Sequence, residues 1–213
     1  MNRIFSNRTE AGQALAARLQ AYARQPNTLV LAIPRGGVPV AAALAQALHL
    51  PLDVVLVKKI GHPTNPEYAI GACSLNHRYI DPQEAAKAGT TYIEAATAAV
   101  RQRLLEMEQQ FRNGKPPLQL RGKTVLVVDD GIATGLTLRT TLQLLRQQQP
   151  AKLVVAVPVA PPAIHAAMQL AADEYICLHT PHWFTGVGAF YDDFEQVSDA
   201  DVVAYLQAAG PQQ

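Results

Sequence analysis

VLVVDDGIATGLT, residues 125–137, decides how the rest of the chain is read. Residues 125–128 are apolar, and three of the four are β-branched, so they read as a buried strand. Asp129 and Asp130 sit where that strand should end. A small-residue loop follows at 131–135, with hydroxyls at Thr134 and Thr137, and residues 136–148 then carry a helical pattern. In open α/β sheets, ligands bind outside the carboxyl ends of the strands. A loop that opens a helix exposes unpaired N–H groups, and the helix dipole favours negative charge there. Gly131 and Gly135 let the backbone approach a ligand closely. The loop can therefore cradle a phosphate while the two carboxylates accept hydrogen bonds from neutral hydroxyls. A phosphate and a vicinal diol in one ligand describe a sugar phosphate.

Other readings of the stretch compete. A strand can simply end in solvated acids before an ordinary helix. A Walker-B strand also ends in acids, but the chain contains no G-x-x-x-x-G-K-[ST]. A receiver domain starts with a strand ending in two acids. It would place that strand near its N-terminus and a further Asp one strand later, and residues 153–158 hold none.

Composition narrows the class. The chain has 213 residues, 49% apolar and 16% charged, which suits one α/β domain with a sizeable core. A net charge of +1 gives no global electrostatic case for nucleic acid or a membrane surface. Cys73 and Cys177 lie in separate apolar runs and suggest neither a disulfide framework nor a metal site. No apolar run reaches the length of a membrane span, and residues 1–8 lack the apolar core of a signal peptide, so a cytoplasmic protein is expected.

With strand, acidic pair, short loop and Thr-Gly-x-Thr in order, VLVVDDGIATGLT resembles the phosphoribosyl-pyrophosphate (PRPP) motif of the type I phosphoribosyltransferases. The stretch KKIGHPTNPEYAIGA is similar to an uncharacterised bacterial subgroup of that family. The resemblance implies a Rossmann-like α/β fold with an open, mainly parallel sheet. It also implies a small hood from residues 1–22 and 179–206, a core at 28–178 and a flexible hairpin lid, all in one domain spanning 1–213. A homo-oligomer, a dimer, is expected.

The chain in order supplies the other parts. Residues 5–22 read as an amphipathic helix; Arg8 is either a surface charge near its start or a ligand group. Residues 28–33 form a strand, followed by the loop Pro34-Arg35-Gly36-Gly37 and an alanine-rich helix at 40–49, a βα unit of a parallel sheet. That loop offers N–H groups and a guanidinium to an anion. It resembles the family's pyrophosphate loop, and the resemblance puts a non-proline cis peptide at Arg35-Gly36. Residues 52–57 form the next strand, ending in Lys58 and Lys59, either a solvated pair or a pyrophosphate contact. With Lys where relatives carry Arg at the first position, a point charge replaces a fork. His62 and Glu67 lie in a turn-rich segment, 62–67, and are either turn and surface residues or an acid–base group on the lid. Residues 68–75 and 78–80 form a hairpin, Asp81-Pro82 starts a helix, and 91–112 is a long helix. Strands at 152–157 and 174–178 flank a helix at 163–172, and a final helix spans 194–206. The aromatic cluster of Trp183, Phe184, Phe190, Tyr191 and Phe194 is either a small core or a surface for a flat acceptor base.

The activity implied is transfer of the 5-phosphoribosyl group of PRPP to an acceptor nitrogen, a nucleobase, with release of pyrophosphate and with Mg²⁺. In that scheme Gly131, Ala133, Thr134, Gly135, Leu136 and Thr137 hold the 5-phosphate. Asp129 and Asp130 hold the ribose hydroxyls and the metal through its water shell, and their charge favours a cationic ribosyl transition state. Arg35, Gly36, Gly37, Lys58 and Lys59 take the pyrophosphate, Lys59 and the two acids being the catalytic set. Trp183 and Phe184 face the acceptor. Hypoxanthine-guanine members carry an Asp at the position of Ala133, so a 6-oxopurine handled by such a base is disfavoured. The rival reading is a regulator that senses PRPP or a nucleotide without catalysis.

Overall fold

The computed structural model describes residues 3–209, and the side chain of Glu67 lies outside the described set. Five strands form one wholly parallel sheet: β1 (Thr28–Ala32), β2 (Leu52–Val54), β6 (Thr124–Val128), β7 (Lys152–Val159) and β8 (Glu174–His179), in the order β2-β1-β6-β7-β8. Alternate side chains enter opposite layers. Val30, Ala32, Leu126, Val128, Val154 and Ala156 face one core cluster. Leu29, Leu31, Val125, Val127, Val155 and Val157 face the other. A sheet covered on both faces needs apolar residues at every position, and so its strands read as unbroken β-branched runs. Helices α1 (Arg8–Arg18), α2 (Gly37–Leu48), α4 (Thr90–Arg112) and α7 (Asp199–Ala208) supply the first layer. Helices α5 (Leu136–Arg146) and α6 (His165–Ala171) supply the second.

A separate antiparallel sheet carries β3 (Lys58–His62), β4 (Asn65–Cys73) and β5 (Arg78–Ile80), with α3 (Pro82–Ala88) after it. Ile60, Ile70 and Cys73 tie it to the first core layer. This corrects the sequence reading of residues 52–57. The parallel strand ends at Val54, and Lys58 and Lys59 open β3, paired with Cys73 and Ala72, instead of capping β2. An apolar run continuous from 52 to 57 hides the break, because Val55 and Leu56 stay buried after the chain leaves the sheet.

The ends of the chain meet above the sheet. Phe5 bridges Tyr191 in parallel, and Asp192 and Asp193 donate to the carbonyls of Phe5 and Ser6. Phe5, Ala11, Phe190 and Tyr191 pack with Val159, at the end of β7, into a third small core. The N- and C-terminal segments thus pack on each other as a small hood. Two helix limits differ from the sequence reading. The first helix starts at Arg8, capped by the Asn7 side chain, because residues 4–6 are drawn into pairing with the tail. The last helix starts at Asp199 behind a Ser198–Asp201 capping box, not at 194, because Phe194 is drawn into the hood. No helix among the described residues is long and apolar enough to cross a membrane.

Candidate active site at the switch point of the sheet

After β1 the chain runs through α2 to β2, on one side of the sheet. After β6 it runs through α5 to β7, on the other. The loops leaving β1 and β6 therefore diverge between two adjacent strands, and that divergence opens the crevice where ligands of such folds sit. The pairing of β1 with β6 continues to the strand ends, where the Ile33 N–H donates to the Val128 carbonyl at 2.9 Å. Loop 34–36 is thereby set against Asp129 and Asp130.

The fit is close enough to demand glycine. A Cβ at Gly36 would collide with Asp130 Oδ2 and lie 2.8 Å from its Cγ. A Cβ at Gly37 would lie 2.8 Å from both Asp129 Cα and the Val128 carbonyl oxygen. Real side chains do not approach so near, so the Gly-Gly pair is what lets the two loops touch. The Pro34–Arg35 peptide is cis. The expected position, Arg35-Gly36, is one residue too late. Arg35 reaches across to the start of α7 and pairs with Asp199 at 3.3 Å.

Asp129 and Asp130 are half-buried, and the Asp130 N–H donates to Asp129 Oδ1 at 2.9 Å. Burial, and then the charge of Asp130, hold the Asp129 carboxyl well above the usual carboxylate range. Burial also raises Asp130, and the Arg8 guanidinium opposes it. Arg8 Nε donates to Asp130 Oδ2 at 2.9 Å, with side-chain exposures of 11% and 14%. Tyr191 donates its hydroxyl to the Asp130 carbonyl at 2.7 Å, and burial pushes that phenol upward.

The loop after the acids is anchored at one end and open at the other. Ile132 N–H bonds the Val159 carbonyl at 3.0 Å, while a Cβ at Gly131 would strike Val187 of the hood. Gly135 caps α5 at φ 71°, in the left-handed region that glycine enters at no steric cost. This turn leaves the N–H groups of Leu136, Thr137 and Leu138 without helical acceptors. Ala133, Thr134, Leu136 and Thr137 are exposed around them. An anion with several oxygens suits that end.

The structure brings Gly36, Gly37, Asp129, Asp130 and Gly131 into one cluster beside Ala133 to Thr137. Lys58 and Lys59 sit on the second sheet, at its joint with the core. Trp183 is 85% exposed after β8, whereas Phe184 stacks on Phe190 at 5.4 Å inside the hood. Sequence reasoning left Arg8 open and gave Tyr191 no link to Asp130. They lie 122 and 61 positions from it, and no local signal joins residues so far apart.

The parallel sheet, the acidic pair at its switch point and the open helix N-terminus define an α/β domain with a polar crevice at the carboxyl edge of its sheet. The chain belongs to the phosphoribosyl transferase domain family, whose model matches residues 3–195. Two Mycobacterium tuberculosis proteins, of strains H37Rv and CDC 1551, carry the provisional name phosphoribosyl transferase. Each is 40% identical over 212 residues, covering 97% of this chain and 47% of the relative. The chain thus spans about half the length of the curated relatives it matches. The crystal structure of TT1426 from Thermus thermophilus superposes with a TM-score of 0.87 at 38% identity, over 98% of this chain and 100% of that one. A hypothetical protein of Neisseria gonorrhoeae, crystallised with ppGpp, shares the fold at a TM-score of 0.50 and 16% identity, each chain 97% covered.

Proposed function

We propose that this chain moves the 5-phosphoribosyl group of PRPP to an acceptor nitrogen, a nucleobase, and releases pyrophosphate. The observation that carries the reading is the contact of the Gly36-Gly37 loop with Asp129 and Asp130, directly beside the unpaired N–H groups that open α5. Pyrophosphate, ribose and 5-phosphate are contiguous in PRPP, and so are the three surfaces. Gly131, Ala133, Thr134, Gly135, Leu136 and Thr137 bind the 5-phosphate. Asp129 and Asp130 accept hydrogen bonds from the ribose hydroxyls and favour positive charge on the ribosyl carbon. Arg35, the two glycines, Lys58 and Lys59 receive the departing pyrophosphate, Arg35 after exchanging Asp199 for it. Trp183 and Phe184 form the acceptor side, with Trp183 offering the accessible ring face. Hood and core act together as one catalytic unit.

Mg²⁺ fits this donor set. Among the described residues no three His, Cys, Asp or Glu side chains gather to cage an ion. Mg²⁺ commonly keeps its waters and takes one or two carboxylates plus substrate phosphates. Asp129 and Asp130 would hold it through that water shell, and when bound it supplies neutralising charge for the pyrophosphate.

The test is pyrophosphate release from Mg-PRPP across a panel of free nucleobases. Base-dependent release establishes the transferase and its acceptor class. Asp130→Asn should abolish release while leaving the fold intact, and unchanged turnover would remove the acidic pair from the mechanism. Tight binding of PRPP with no release from any base would instead favour a PRPP sensor.

A further inference from the structure

We propose that Arg8 is a positioning residue that fixes Asp130, which makes the first helix part of the machinery for binding the phosphoribosyl donor. The inference rests on the reading of Asp130 as a donor-binding carboxylate.

Asp130 is held from two sides by one closed ring of contacts. Arg8 Nε bonds its Oδ2 at 2.9 Å. The same guanidinium donates from Nη1 to the Glu195 carbonyl at 2.8 Å and lies 3.7 Å over the ring of Phe194. Phe194 packs on Tyr191 with centroids 5.0 Å apart, and Tyr191 returns to the Asp130 carbonyl. Side-chain and main-chain oxygens of one aspartate are thus fixed by residues of the hood. The loop side is closed as well, because the Gly36 backbone leaves no room beside Oδ2. Asp130 Oδ1 has no hydrogen-bond partner on another residue among the described ones, so one oxygen is held and the other stays available.

A guanidinium can do this and an ammonium cannot. It is planar, donates in several fixed directions and stacks on an aromatic face while it bonds. Arg8 itself is set by the start of α1, where the Asn7 side chain accepts from the Glu10 N–H at 3.0 Å. The alternative role is a plug, a cation that occupies the acidic pair and leaves when ligand arrives. Leaving would cost Arg8 the Glu195 carbonyl and the Phe194 face together with the carboxylate. Those anchors favour a support that stays in place, and a preorganised carboxylate binds without being ordered at that moment.

Calorimetric titration of the full chain with PRPP and Mg²⁺ separates the two roles, with melting temperatures taken alongside. Arg8→Gln should weaken binding by about tenfold or more, the range for removing a group that orients a ligating side chain. Arg8→Lys, which keeps the charge but loses the fork, should recover part of it and stay about threefold weak. A Gln variant with wild-type affinity overturns the inference, whatever its melting temperature, because the contact is then merely structural. Tighter binding by that variant also overturns it and makes Arg8 a displaced plug. If the Gln variant does not fold, the Lys variant decides: several-fold weaker binding upholds the role and wild-type affinity overturns it. Wild-type protein that takes up no Mg-PRPP overturns the functional reading and this inference together.

Discussion

Asp129 stands where ionisation is costly, and this opposes stability to function in one side chain. Burial and the neighbouring Asp130 both disfavour its charge, so its folded-state pKa lies above its unfolded one. Below about pH 3 the carboxyl is protonated in both states and folding is unpenalised. As pH rises from there the unfolded chain ionises first, and stability falls until the folded carboxyl also gives up its proton. Asp129→Asn removes that penalty and keeps an oxygen for the Asp130 N–H that now bonds Oδ1 at 2.9 Å. The variant's advantage should vanish as pH falls below about 3. At pH 7 it should melt higher than wild type. Pyrophosphate release should be lost. Thermal melts at the two pH values check this, and a variant less stable at pH 7 than wild type would contradict it. The two acids themselves were legible in the sequence, because a β-branched run followed by charge marks a strand end. Their separate environments were not, since Arg8 and Tyr191 reach Asp130 through the hood.

At the scale of elements, legibility followed locality. Helix α4, expected at 91–112, runs Thr90–Arg112, and the hairpin expected from 68–75 and 78–80 forms as β4 and β5, with β4 starting at Asn65 inside the segment read as a turn, because residues 65, 69 and 71–73 pair with β3. Both rest on periodicity and on caps within a few residues. Strand β2 ends earlier than expected because the Val55 N–H makes the last bond to β1, at the Ala32 carbonyl, while burial keeps residues 55 and 56 apolar beyond it. The clamp that locks the end of α4 to β2 was invisible, since Asp53 and Arg112 are 59 positions apart. Arg112 donates to both Asp53 oxygens, at 3.0 and 3.2 Å, and to the Val54 carbonyl at 2.9 Å; Leu118 N–H adds a bond to Asp53 at 3.1 Å. Side-chain exposures of 9% and 10% put this pair in the class where breaking it costs most. Arg112 also donates to Glu108 at 3.0 Å, so Asp53→Ala leaves the guanidinium one carboxylate partner and should destabilise the fold by about 1–3 kcal/mol, the cost of the bonds lost to Asp53. Asp53→Leu with Arg112→Met should cost less than the single change. Urea unfolding measures both. A single variant within 1 kcal/mol of wild type, by about the size of an exposed pair, would show the clamp to be dispensable.

Across the whole molecule, the two edges of the parallel sheet serve different ends. The loops after β1 and β6 meet at the carboxyl edge. At the opposite edge Lys152 opens β7 and Glu174 opens β8, and their side chains pair at 2.6 Å. Tyr22 joins them, donating to Glu174 at 2.5 Å and accepting from Lys152 at 2.7 Å, so the segment after α1 is pinned beneath the sheet. Each partner of the ion pair is more than a third exposed, at 38% and 37%. Glu174→Gln should therefore cost at most about 1 kcal/mol at neutral pH and low salt, and less in high salt. The hydrogen bond from Lys152, then that from Tyr22, lowers the Glu174 pKa, so its share is present above the unfolded value, about pH 4, and fades as pH falls through the folded one. Bonds to Glu174 and Tyr22 raise Lys152, so its share fades as pH climbs beyond about 10. The difference between variant and wild type should be widest between those limits and close at both ends. PRPP binding should not change, because sites this far apart, with no shared partners, act independently. A Glu174→Gln variant that loses donor affinity while remaining folded would mean that the two edges are coupled through the sheet.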